Sequence, residues 1–238
     1  MRKIEIFPDA PALAAAAAEA FVRAAAASTG PFRVALSGGH SPRGLYALLA
    51  DEAAPYRARV PWERLRFFWS DERCVPPTHP DSNFKTANDA LLSRVPIRPE
   101  QVHRILAELP VAADAADRYE KTIRSEFEGP PIFDWIFLGM GPDGHTASLF
   151  PGTKALAERN KLVAANWVEG QKAYRVTFTL PILNSAKNII FLVAGPDKAD
   201  MARKVLSEAP SAARPSSLVL PPRGNIRWFL DKAAARLL

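Results

Sequence analysis

One stretch of the sequence decides the fold: residues 32–45, FRVALSGGHSPRGL. Its first five residues form an apolar run typical of a buried strand, and two glycines then lead into a segment typical of a helix start. We expect Ser41 to be the N-cap of that helix and Pro42 its first residue, since serine caps helices and proline suits the first turn. A strand, a glycine turn and a helix in succession form the repeating unit of a parallel α/β sheet.

The same unit recurs along the chain. Short runs rich in Val, Ile and Phe alternate with helix-like segments, and these runs occupy residues 3–7, 32–36, 65–69, 133–138 and 188–193. Nearly continuous apolar strands indicate a parallel sheet that is buried on both faces, with right-handed helical crossovers. We therefore predict an α/β fold in which a mostly parallel, doubly wound, Rossmann-like sheet has helices on both faces.

Two segments depart from this alternation. Two strand-like runs, residues 161–165 and 174–179, follow each other without a helix between them, which predicts a hairpin or a small antiparallel insertion. The Ala-rich stretch 11–27 is interrupted by Glu19 and Arg23, so we interpret it as an amphipathic helix and not as a signal peptide. With 238 residues and 48% hydrophobic content, residues 1–238 are expected to form a single domain.

Charge and composition restrict the possible functions. The chain has 31 Lys and Arg against 25 Asp and Glu, a net charge of +6. The basic residues are scattered among carboxylates, which argues against nucleic-acid binding and is compatible with a small anionic substrate. No stretch reaches the ~18 uncharged apolar residues of a membrane span, so no membrane partner is expected.

The cysteine content indicates the compartment. The chain has one cysteine, Cys74, which cannot form an internal disulfide, so a reducing cytosol is expected. Its neighbour Arg73 could lower the thiol pKa and make Cys74 a nucleophile, but a small buried thiol is the preferred interpretation. No pattern in the sequence predicts an oligomeric state.

Ligands of open α/β sheets bind beyond the carboxyl ends of the strands, so the loops that follow the strands are the candidate site. In the first loop, Gly38 and Gly39 let backbone N–H groups approach an anion, and the helix behind them adds partial positive charge. The alternative is an ordinary tight turn. The spacing matches neither a Walker A loop nor a dinucleotide fingerprint, so no nucleotide cofactor is expected.

The second loop, residues 70–83 (SDERCVPPTHPDSN), places a cluster of charge after an apolar strand. A carboxylate at Asp71 and a guanidinium at Arg73 are suited to binding sugar hydroxyls and an anionic group, since Arg makes bidentate contacts with phosphate. The alternative is a solvated turn with a local ion pair.

The third loop, residues 139–152 (GMGPDGHTASLFPG), surrounds one histidine with glycines. An imidazole that titrates near ~6.5 can accept a proton from water at neutral pH, so His145 is a candidate general base. Asp143, two residues earlier, could orient it or bind substrate. The alternative is a structural histidine. The other histidines, at 40, 79 and 103, lack ligand spacing, so no metal is expected.

Taken together, the three motifs resemble those of the glucosamine-6-phosphate isomerase and 6-phosphogluconolactonase family, and within it the lactonases. The resemblance implies a three-layer α/β fold and hydrolysis of a phosphorylated sugar lactone, without a cofactor. It implies His145 as the base that activates water and puts Asp71 and Arg73 along the sugar site; the candidate catalytic residues are therefore His145, Asp143 and Asp71. The substrate-binding residues that it implies are Gly38, Gly39, Ser41, Arg73, Arg175 and Lys198, the last two as phosphate ligands.

One position departs from the family pattern, and two other functions compete. His40 stands where relatives usually have Ser or Thr. The first competitor is a glucosamine-6-phosphate deaminase, but Phe150 occupies the position at which those enzymes carry a glutamate, and it cannot transfer a proton. The second is a non-catalytic sugar-phosphate sensor fused to a DNA reader, but the segment before Phe32 is too short for two packed helices.

Overall fold

The computed structural model of the protein describes residues 2–238, in which nine strands form two sheets. The strands are β1 (Arg2–Phe7), β2 (Phe32–Leu36), β3 (Leu65–Trp69), β4 (Asp71–Arg73), β5 (Trp135–Leu138), β6 (Val163–Val168), β7 (Ala173–Phe178), β8 (Asn188–Val193) and β9 (Asn225–Asp231). The larger sheet has the order β1-β9-β8-β5-β2-β3 and is parallel throughout. The five strands predicted from apolar runs all lie in it. The sixth strand, β9, lies between β1 and β8 and is not among the strands predicted from the sequence.

Seven α-helices connect and cover the strands. They are α1 (Ala10–Ala26), α2 (His40–Ala50), α3 (Asn83–Ala90), α4 (Ala112–Ser125), α5 (Lys154–Ala157), α6 (Leu180–Ser185) and α7 (Ala199–Ser207). The predicted Ala-rich helix is α1, whose first turn is closed by a hydrogen bond from the Ala12 N–H to the Asp9 carboxylate (2.8 Å). Among the helices of residues 2–238, none has the length and apolar character needed to cross a bilayer.

Aromatic side chains fill the space on both faces of the parallel sheet. Phe21 of α1 packs against Trp135 and Phe137 of β5, with ring centroids 6.0 and 5.6 Å apart. A second cluster joins the sheet to α4 and the small sheet, where Phe178 lies 5.3 Å from Phe133 and 6.2 Å from Tyr119. Burial on both faces explains the continuous apolar strands, and the predicted α/β fold class is confirmed.

The second sheet is antiparallel, with the order β4-β7-β6. The predicted antiparallel insertion is therefore present, but it is one strand larger than expected. Residues 71–73, which the sequence predicts as a loop, form β4 and pair with β7. Only Ser70 separates β3 from β4, and its carbonyl accepts a hydrogen bond from the Phe178 N–H (2.7 Å). Local sequence does not reveal β4 because its partner strand lies far along the chain.

The start of α2 corrects one prediction. The helix begins at His40, its N-cap is Gly39, and no side chain caps it. Gly39 has φ of 101°, a conformation that glycine adopts without steric cost, so the backbone itself makes the turn. Ser41 and Pro42 therefore lie inside the first turn, and the prediction of Ser41 as N-cap is wrong.

Candidate active site

A cavity of about 360 Å³ lies beyond the carboxyl ends of β2, β3, β5 and β8. All three predicted loops contribute to its wall. Of the residues predicted for the site, the wall contains Gly38, Gly39, Ser41, Asp71, Arg73, His145 and Lys198. Two others lie just outside the wall, each beside a residue that is part of it: Asp143 contacts His145, and Arg175 is paired with Arg73.

The glycine loop (residues 37–41) is shaped by contacts from two helices. The Tyr46 hydroxyl accepts a hydrogen bond from the Ser37 N–H (3.0 Å) and donates one to the Ser37 carbonyl (2.9 Å). Gly38 packs so closely against Asn83 that a Cβ atom there would lie 1.8 Å from the amide oxygen. The first turn of α2, with its unpaired backbone N–H groups, consequently borders the cavity, as an anion site requires.

Asp71 is a buried carboxylate in the cavity wall, with 6% of its surface exposed. Its Oδ2 accepts a hydrogen bond from the Ser148 hydroxyl (2.7 Å), and its Oδ1 accepts one from the Asn83 amide (3.1 Å). Arg73 does not close a local ion pair with it, because the guanidinium donates to the Asp81 carbonyl (2.5 Å). The solvated-turn alternative for this loop does not describe the structure.

Glu72, next to Asp71, is not part of the cavity wall and organises the connection from β4 to α3. Its carboxylate accepts hydrogen bonds from the backbone N–H groups of Arg73 (2.8 Å), Asn83 (2.7 Å) and Phe84 (2.8 Å), and from the Ser82 hydroxyl (3.0 Å). Burial raises the pKa of Glu72 even though the backbone donors oppose this effect. The hydrogen bonds of Glu72 therefore fix the position of Asn83 in the cavity wall.

Arg73 and Arg175 form an arginine pair directly across β4 and β7. Arg175 donates to the side-chain amide oxygen of Gln171, so both guanidinium groups are held by neutral acceptors. Burial lowers the pKa of Arg175, and the charge of Arg73 lowers it further. Adjacent cations with neutral partners favour binding of an anion. Lys198, also in the cavity wall, pairs with Asp197 (2.8 Å).

His145 is held in one orientation by its own loop, residues 139–152, called here the His145 loop. Its Nδ1 lies 2.5 Å from the Asp143 Oδ1, and its ring stacks on Phe150 with centroids 4.1 Å apart. Gly141 leaves room for the ring, since a Cβ atom there would lie 2.1 Å from Nδ1. The contact of Nδ1 with Asp143 and the stacking of one ring face on Phe150 thus fix the orientation of the imidazole.

The contacts of Asp143 favour its ionised form. Burial acts to raise the pKa of Asp143, but the hydrogen bond and the charge of His145 outweigh it, and the pKa is lowered from its ordinary value. Asp143 is therefore ionised at neutral pH, and because its Oδ1 faces Nδ1 of the imidazole it favours the tautomer that carries its proton on Nδ1. The lone pair of such a tautomer is on Nε2, the nitrogen that a general base would use.

The surroundings of Cys74 oppose a role as nucleophile. The thiol is half-buried, and burial raises its pKa, so it stays protonated at neutral pH. No group of three or more His, Cys, Asp or Glu side chains within residues 2–238 has the arrangement of a metal site.

The cavity wall also contains residues that are not among the site residues predicted from the sequence. They include His40, Pro42, Asn83, Met140, Ala147 and Asp197. Asn83 is the last residue of the second loop, and the signal in the sequence was a polar amide side chain at the end of that charged loop. Ala147 has φ of 48°, a left-handed conformation that a non-glycine residue rarely adopts. An alanine in the sequence gives no indication of such a conformation.

A cavity at the carboxyl edge of a doubly wound parallel sheet, with a His–Asp pair and several cationic groups, defines an α/β protein built to bind a small anionic ligand. Residues 8–228 match the model of the family described as glucosamine-6-phosphate isomerases/6-phosphogluconolactonase. The chain belongs to this family.

Individual relatives resemble the chain over nearly its whole length. A 6-phosphogluconolactonase of Nostoc sp. is 38% identical over 98% of this chain and 97% of its own. The human 6-phosphogluconolactonase is 39% identical over 99% of this chain and 93% of its own. The solved structure of 6-phosphogluconolactonase from Trypanosoma cruzi superposes with a TM-score of 0.85 at 31% identity, covering 100% of this chain and 97% of that one.

Proposed function

We propose that this protein hydrolyses 6-phospho-D-glucono-1,5-lactone to 6-phosphogluconate, the lactone-opening step of the oxidative pentose phosphate pathway. Full-length similarity to proteins named 6-phosphogluconolactonase supports this substrate. The observation that carries the chemistry is the Asp143–His145 contact of 2.5 Å beside a cavity whose wall includes Arg73 and Lys198. With a single cysteine, the enzyme is suited to a reducing cytosol.

In the proposed reaction, neutral His145 accepts a proton at Nε2 from a water molecule as the water oxygen bonds to the lactone carbonyl carbon. Asp143 stabilises the imidazolium that forms. The carbonyl electrons move to its oxygen and then return as the ring C–O bond breaks. The ring oxygen leaves with the proton from the imidazolium and becomes a hydroxyl group, and the new carboxylic acid ionises. No covalent enzyme intermediate is required.

The phosphate of the substrate supplies binding energy at a distance from the reacting carbon. We assign it to the basic side of the cavity, formed by the arginine pair, Lys198 and the glycine loop with Ser41. Anchoring the phosphate there would hold the carbonyl beside His145, so binding energy is converted into a faster reaction. Asp71 would accept hydrogen bonds from hydroxyl groups of the sugar ring.

Phe150 supports a lactonase over a deaminase. Its ring stacks on the His145 imidazole and offers no group that could donate or accept a proton. Deamination and isomerisation of an amino sugar need additional acid and base groups. Lactone hydrolysis needs one base, because the ester is already activated.

The test measures loss of lactone generated freshly from glucose 6-phosphate, with spontaneous hydrolysis subtracted. We expect His145→Ala to lower kcat by about 10² or more, the usual contribution of a positioned base. The control is His79→Ala, which removes an exposed histidine outside the cavity wall and should leave kcat unchanged. A wild-type rate at background, with ammonia released from glucosamine 6-phosphate, would replace the lactonase with the deaminase.

A further inference from the structure

The surroundings of Asp71 contain two buried donors that the proposed reaction does not use. Ser148 and Asn83 are 2% and 1% exposed, and each donates to a different oxygen of the Asp71 carboxylate. Asn83 also donates to the Asp71 backbone carbonyl (2.9 Å), which fixes its amide nitrogen toward Asp71. Ser148 lies three positions after His145 and is not part of the cavity wall, so its hydroxyl reaches the site only through Asp71.

Ser148 is itself held rigidly by the small sheet. Its N–H donates to the Thr177 hydroxyl on β7 (3.0 Å), and its carbonyl accepts from the Asn166 amide on β6 (2.8 Å). Both contacts use backbone atoms of Ser148, so its hydroxyl is available to donate a hydrogen bond to Asp71. The hydroxyl therefore links the His145 loop to a carboxylate 77 positions earlier in the chain.

A carboxylate that already accepts one hydrogen bond at each oxygen keeps a lone pair on each for further donors. Sugar hydroxyl groups are such donors, and a carboxylate held by two rigid neighbours presents its free lone pairs in one fixed direction. We propose that Ser148 is a positioning residue that, opposite Asn83, orients Asp71 toward ring hydroxyl groups and so sets specificity for hydroxylated lactones. This inference rests on the proposed function.

The test compares Ser148→Ala with wild type on 6-phosphogluconolactone and on analogues that each lack one ring hydroxyl group. We expect kcat/KM for the full substrate to fall about tenfold or more, as when a hydrogen bond to a charged group is lost. Selectivity should fall as well: for the hydroxyl bound by Asp71, the wild-type preference for the full substrate over its deoxy analogue should shrink toward unity. A purely structural serine would lower both rates alike and leave that ratio unchanged.

The matched control is Ser70→Ala. Ser70 is also fully buried and adjoins Asp71 in sequence, but its hydroxyl has no hydrogen-bond partner within the described residues. We expect Ser70→Ala to retain the wild-type selectivity. Ser148→Ala keeps both backbone hydrogen bonds but removes a buried donor to a carboxylate, so its thermal unfolding midpoint should fall modestly while the cooperative fold is retained.

A double-mutant cycle decides whether Ser148 acts through Asp71. In an Asp71→Asn background, Ser148→Ala should produce no further loss of selectivity, since interacting residues are not additive. Additive losses, or a Ser148→Ala variant as selective as Ser70→Ala, would overturn the positioning role while leaving the lactonase function in place. A wild-type protein without lactonase activity would overturn the function and the inference together.

Discussion

The His145 loop and the arginine pair reach the same cavity by different routes. The His145 loop is local: within a few residues it supplies the imidazole, its carboxylate partner Asp143 and the stacked ring of Phe150. The arginine pair is non-local, because Arg73 and Arg175 meet only where β4 pairs with β7.

Some functional sites can therefore be recognised from a short stretch of sequence, whereas others depend on contacts between distant segments. A local site can be recognised as a motif, because its geometry depends on glycines and turns that are neighbours in sequence. A non-local site depends on strand pairing, which the sequence of either strand does not specify alone. The candidate base, His145, could therefore be predicted from its own loop. Arg175 could be predicted as a site residue only from the resemblance to a family.

The largest expected effect tests whether the His145 loop is set locally. Gly141→Ala would place a methyl group 2.1 Å from His145 Nδ1 and so displace the imidazole from Asp143. We expect kcat to fall by about 10² or more, near the loss of the base itself. Gly30→Ala, which adds the same methyl group in open space before β2, should keep wild-type kcat. A fully active Gly141→Ala enzyme would show that the loop does not position His145.

The next effect tests the non-local site. Removing either guanidinium group, by Arg73→Ala or Arg175→Ala, should lower kcat/KM for the phosphorylated lactone about 10- to 100-fold, the range for a lost hydrogen bond to a charged group. The loss should disappear with gluconolactone, which lacks the phosphate. Lys172→Ala removes a positive charge from the turn between β6 and β7 and is the matched control. Equal losses on both lactones would assign the arginines to another part of the substrate.

A smaller effect concerns the glycine loop, which is local in sequence but shaped by the distant Asn83. Gly38→Ala forces a methyl group against the Asn83 amide and should lower the free energy of unfolding by about 1–3 kcal/mol, as overpacking does. Gly44→Ala, inside α2 where a Cβ meets nothing within 4 Å, should instead raise it by about 0.4–1 kcal/mol. Urea unfolding measures both, and equal shifts would contradict the close contact with Asn83.

The smallest effect is the pH dependence of the Asp143–His145 contact. Because the folded pKa of Asp143 is lowered, its carboxylate stabilises the fold above the unfolded value of ~3.9, and this contribution is lost as the pH falls through the folded pKa. Asp143→Asn should therefore be slightly less stable than wild type at pH 7, with the difference vanishing in strong acid. Thermal unfolding between pH 7 and pH 2 measures this, and a difference independent of pH would contradict the lowered pKa.

Five of the six parallel strands, all except β9, could be predicted from sequence because each of the five carries its own apolar run. The runs at Phe32–Leu36, Leu65–Trp69 and Asn188–Val193 have the predicted bounds, since strands buried on both faces are apolar throughout. The short strand β4 could not be predicted, because its three charged residues resemble a loop. The cap of α2 was assigned wrongly, because a positive φ at Gly39 replaced a side-chain cap.

The sequence by itself determined the fold class, the order of the loops and the His–Asp pair, because each depends on residues within about one turn or strand of one another. The tertiary structure decided which groups share the cavity. It placed Arg175 opposite Arg73, Asn83 against Gly38, and Ser148 on Asp71. The physical reason is that burial and strand pairing join distant segments, and these contacts are fixed only when the two sheets pack together.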